Sequence, residues 1–163
     1  MAERCEIAFD HPSTRSDQPV SVSESEAEEL AIDATGRQAM NDVLRENDRW
    51  FRDEVRRIYV MASGDQDGAA MLATSSMIEE VQNKSLADDD GSARRRLALE
   101  RAGLEKPPSA RTLPPAEQLL RLLESYGDRV ERAMAERIGA EHARRYRDSR
   151  HNQSQSRSSG CPE

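Results

Sequence analysis

The side chains best suited to chemistry in this chain are cationic and aromatic, and they gather in two places. The stretch "HARRYRDSRH" (142–151) sets Arg144, Arg145 and Arg147 around Tyr146. Guanidinium groups beside an aromatic ring suit a phosphate backbone, by charge and by stacking. Glu141 and Asp148 dilute that patch. Cations there also suit the negative end of a helix dipole, so a solvated helix end is the plainer reading. The second place is Trp50–Phe51, the one adjacent aromatic pair. Neighbouring helix positions point about 100° apart. One ring is therefore expected at the core centre and the other beneath a loop or against a partner, and burial of both in the core is the plainer reading.

Stronger chemical signatures are missing from the sequence. "GDQDG" (64–68) contains the D-x-D-G of a calcium loop, but the register puts Ser63 and Thr74 where ligating carboxylates are needed. The histidines are His11, His142 and His151, with no H-E-x-x-H and no second ligand-type His one helical turn away. No P-loop, G-x-S-x-G or G-x-G-x-x-G occurs. We therefore expect no catalytic residues, no metal site and no cofactor.

Such side chains would have to be positioned by helices. "VSESEAEEL" opens one, since Ser23 with Glu26 fits a capping box, as does Ser25 with Glu28. From about 34 to 62, Met40, Val43, Leu44, Trp50, Phe51, Val55, Ile58, Tyr59 and Met61 recur near a 3.5-residue spacing, with Asn47 on the same stripe. Met71, Leu72, Met77, Ile78 and Val81 predict a helix over 69–83. A further one spans Ser92 to Ala102, with Ala93, Leu97 and Leu104 facing inward and Arg94, Arg95 and Arg96 fanned outward. Gly103 and two proline pairs end it. The longest apolar stripe, Leu119, Leu120, Leu123, Tyr126, Val130, Met134 and Ile138, starts behind Pro114 and Pro115. Gly139 separates a last piece, Ala140 to about Arg147.

Composition points the same way. Only six of 163 residues are aromatic, so the core must be aliphatic, which favours helices over sheets. The net charge of −7 is uneven: residues 1–80 carry 8 basic and 18 acidic groups, and residues 81–163 carry 16 and 13. The halves can attract each other, or the C-terminal end can meet an anionic surface. Cys5 and Cys161 stand at opposite ends and read as surface thiols, too few for a zinc site. No apolar run reaches the roughly 18 residues of a membrane span. The start lacks the features of a signal peptide. The expectation is a cytoplasmic chain, or an envelope protein if translation begins upstream.

Two segments, "VSESEAEEL" and "LPPAEQLLRLL", and more faintly "IGAEHARRYRD", resemble the L-[ST]-x-x-[QE] helix starts of the LTxxQ group of bacterial envelope helical-hairpin proteins. Ser23 and Glu26 fit the first copy, Leu113 and Glu117 the second. The group includes stress chaperones and heavy-metal sensors. The resemblance implies a helical, often dimeric cradle that binds unfolded chains or metals.

Together these readings predict an all-α bundle of four to five helices over 23–148, between a disordered arm (1–22) and a disordered polar tail (149–163). The function they favour is a non-enzymatic helical interaction module, chaperone-like or sensor-like in a bacterial cell, with a protein partner or a second copy. The second reading is nucleic-acid or anionic-surface binding through the arginine-rich end. Trp50, Phe51, Arg144, Arg145, Tyr146 and Arg147 are the candidate binding residues.

Overall fold

A computed structural model describes residues 6–9, 20–85, 92–108, 113–151 and 156–159. Seven helices lie among them: α1 (Glu24–Glu29), α2 (Ala34–Ser63), α3 (Gln66–Met71), α4 (Thr74–Ser85), α5 (Ser92–Arg101), α6 (Pro115–Ile138) and α7 (Ala140–His151). The bundle is all-α, with more helices than the four to five expected. Strands β1 (Glu6–Phe9) and β2 (Ser156–Ser159) pair antiparallel as a two-stranded ribbon, Glu6 opposite Ser159. Cys5 and Cys161 lie outside the described residues, as does most of the arm and tail. Two expected boundaries move. Val22, assigned to the arm, is buried in the core, its N–H donating to Asn41 Oδ1 at 2.7 Å. Helix α7 runs through His151 rather than stopping near Arg147.

Local chemistry explains each start and stop. The Ser23–Glu26 capping box is formed in both directions. α1 ends with Ala31 N–H on Glu28 O and Ile32 N–H on Ala27 O, a Schellman closure that puts Ala31 at φ 56°. Asp33 caps α2 by accepting from Gly36 N–H, and Gly64, at φ 72°, closes it. Pro114 and Pro115 open α6, where a missing N–H costs nothing.

α2 and α6 form the centre, running antiparallel. Arg57 near the end of α2 meets Gln118 at the start of α6, and Glu46 meets Arg137 near its end. Their shared core holds Met40, Val43, Phe51, Val55, Ile58, Leu119, Tyr126, Val130 and Met134, with Met77 and Val81 of α4 added. α7 folds back along α6 at Gly139, and Ala143 and Tyr146 close that side.

The helix expected over 69–83 is two helices. Asp65 caps an earlier start at Gln66, and Leu72 is extended between α3 and α4. Met71 (87% exposed) and Leu72 (39%) therefore leave the core, and α4 buries Thr74 and then, among its apolar residues, Met77 and Val81. Met61, read as part of the α2 stripe, is also exposed. Leu104, expected inward, is 73% exposed, because the left-handed Gly103 turns the chain out of α5. Leu122 is buried although it was not placed on the α6 stripe, whereas Leu120 packs only on a small satellite cluster.

Candidate functional site

The candidate residues scatter. Phe51 is fully buried and meets Tyr126 edge to face, ring centroids 5.3 Å apart. It is core, which removes it from any surface. Trp50 is half-buried beside it, with the Arg129 guanidinium 3.9 Å over its ring centroid. Arg129 Nε also donates to Asn47 Oδ1 at 3.0 Å, while buried Asn47 donates to Val43 O. Glu46, Arg132, Ala133 and Glu136 complete a 250 Å³ cleft there.

The arginine-rich end is largely spent inside the molecule. Tyr146 is buried. Arg147 Nη1 reaches Asp128 at 2.7 Å and Glu131 at 2.5 Å, binding α7 to α6. Although burial opposes its charge, those carboxylates hold the guanidinium above its ordinary value. Arg145 pairs with Glu141 one turn away, and Arg144 is exposed. His142 Nδ1 faces Ile138 O at 3.1 Å, at the edge of a 430 Å³ hollow that also includes Arg137, Ile32, Asp33 and Gly36. Among the described residues, no group of three or more His, Cys, Asp or Glu is placed to hold a metal ion, and no helix is long and apolar enough to cross a membrane.

A further concavity lies elsewhere, at the corner between α2 and α3. Asp53, Arg56, Arg57 and Val60 lie at i, i+3, i+4 and i+7 along one face of α2, and Gln66, Ala69 and Ala70 oppose them. Together they line an open hollow of 640 Å³. Its floor is apolar (Val60, Ala69, Ala70), and its rim carries one acid, two arginines and an amide.

The corner is rigidly built. Tyr59 OH donates to Asp65 Oδ2 at 3.2 Å, and Asp65 Oδ1 accepts from Gly68 N–H at 2.8 Å. Burial pushes the Tyr59 phenol above its usual range, which keeps it a protonated donor. A Cβ on Gly68 would collide with the Asp65 carboxylate and stand 3.1 Å from Tyr59 Oη. A side chain there would have to displace that capping carboxylate, so glycine suits the close approach. Arg56 Nε donates to Ala69 O at 3.1 Å, satisfying a carbonyl at the end of α3, and its Nη1 reaches Asp53 at 3.2 Å. Arg57 bonds Glu54 and Gln118. Both guanidiniums thus stand at the rim, half-exposed, with partners on the neighbouring elements. Met61 follows Val60 in the chain, and Met71 and Leu72 follow Ala70; all three are exposed.

Sequence reasoning missed this corner. Its one signal was "SGDQDG", which the failed calcium-loop register left as a turn and helix cap. No family model, curated protein or solved structure matches the chain.

Proposed function

We propose that the protein is a non-enzymatic helical interaction module, and that the α2–α3 corner receives a protein segment. The observation that carries this reading is the open hollow itself: an apolar floor, a rim of both charges, and exposed Met61, Met71 and Leu72 beside it in the chain. Exposed methionine is flexible and polarisable, and suits partners of varied shape. The partner's chemistry follows from the lining. Apolar side chains would occupy the floor over Val60 and Ala69. A carboxylate would meet Arg56 or Arg57, and a cation would meet Asp53. The likeness of the Ser23–Glu26 helix start to the LTxxQ group agrees with a chaperone-like role.

The test is a client assay on the full chain. Reduction-induced aggregation of insulin should be suppressed at equimolar protein. The suppression should vanish in V60E and A70E, whose circular dichroism should remain that of the parent. Aggregation unaffected by the folded parent protein would sink this reading.

A further inference from the structure

Helix α5 is attached to the rest of the molecule differently from the other helices. Its apolar residues Leu97 and Ala98 pack with Leu120 in a cluster separate from the main core. Ala93 is buried as well, and the remaining attachments are charged. Arg96 reaches Glu117, Arg101 reaches Glu124, and Glu100 receives a two-pronged fork from Arg121, at 2.6 and 2.7 Å. Arg121 also donates to Glu117 at 3.1 Å. Arg96–Glu117 and Glu100–Arg121 span the same 21 residues, so α5 and α6 run in the same direction.

The two faces are complementary codes. On α5, Arg96, Leu97, Glu100 and Arg101 stand at i, i+1, i+4 and i+5; on α6, Glu117, Leu120, Arg121 and Glu124 stand at i, i+3, i+4 and i+7. The acceptor face is well shielded: Glu117 is 2% exposed, and the Glu124 side chain 12%. With α5 seated, Glu117 has cations from both helices, Arg96 of α5 and Arg121 of α6, and Glu124 has Arg101 of α5. Six residues (86–91) and thirteen (102–114) tether α5 on its two sides.

We infer that the face of α6 carrying Glu117, Leu120, Arg121 and Glu124 is an exchangeable docking site whose second occupant is α5 of another copy of this chain. The argument is complementarity: the helix shown to satisfy this face is α5, and every copy carries one. Exchange repeats the same contacts between molecules instead of within one. Reciprocal exchange closes a two-fold dimer and leaves no seam open. α5 buries nothing in the central core, so its departure leaves the α2–α6 packing intact.

The test uses two full-length variants with opposite reversals. The first carries R96E and R101E on α5, the second E117R and E124R on α6. Each alone repels its own α5 and should be a monomer of about 18.3 kDa by light scattering. Mixed one to one, each seam is restored only between molecules, and the mass should double. Folded variants that stay monomeric when mixed would overturn the inference. If circular dichroism shows either variant unfolded, the parent protein decides. Isotopically heavy and light copies, mixed in high salt to loosen the pairs and returned to low salt, should give a dimer of intermediate mass in native mass spectrometry. Its absence overturns the inference equally. Neither experiment involves the α2–α3 hollow, so either proposal can fail alone.

Discussion

The Arg129 guanidinium lies 3.9 Å above the centroid of the Trp50 ring and donates from Nε to Asn47 Oδ1, tying α6 to the buried polar position of α2. This contact joins a cation–π pair to the satisfaction of a buried amide. R129A removes both and leaves the Asn47 oxygen without its donor. We expect a loss of about 1–3 kcal/mol in urea unfolding. Trp50 is the single tryptophan, so its emission should also shift to the red. An unchanged spectrum and midpoint would show that the contact contributes nothing.

Phe51 sits against Tyr126 at 71° between ring planes, with no exposed surface. F51A should cost about 3–5 kcal/mol, from lost transfer energy plus the cavity left behind. Domains are typically stable by only about 5–15 kcal/mol, so the denaturant midpoint should fall steeply. A loss below about 1 kcal/mol would place Phe51 outside the cooperative core.

Ala31 adopts φ 56° to close α1. Left-handed backbone strains an L-residue by about 1–2 kcal/mol, and glycine relieves it while adding entropy to the unfolded chain. A31G should therefore stabilise, by about 0.5–1 kcal/mol net. Thermal unfolding measures this directly, and a lower melting temperature would contradict it.

The acid limb of stability should carry the α5–α6 seam. Arg121's hydrogen bonds hold the Glu100 carboxyl below its ordinary value of 4.5. A depressed carboxylate stabilises the fold above its ordinary value, and the contribution is lost as pH falls through the lowered one. Burial drives Glu124 the other way, only partly opposed by Arg101. It takes up its proton in the fold before it does in the unfolded chain, which favours the fold as pH falls toward the ordinary value. Below that value, the melting temperature of the parent should fall more steeply than that of E100Q. Parallel curves would remove Glu100 from the acid transition.

Much of the bundle was legible in the sequence. The stripe from Met40 to Tyr59 and the "SGDQDG" turn mark α2 nearly to the residue, because periodicity and turn residues are local signals. The α3–α4 break was not, since Met71 and Leu72 continue the apolar spacing of Met77 and Val81. Only their exposure separates them. Leu104 misled for a related reason: hydrophobicity was read without the turn that Gly103 imposes. The hollow was invisible because Val60 and Ala69 become neighbours only through the Asp65–Gly68 corner. The charges of α5 looked like a solvated face because their partners lie about twenty residues away, on another helix.

Helix α2 also separates two of the hollows described above. Gly36 borders one and Val60 the other, on a single helix that rises 1.5 Å per residue, so they stand about 36 Å apart. That is more than four times the Debye length of about 8 Å at physiological salt. A charged guest at one end is electrically silent at the other.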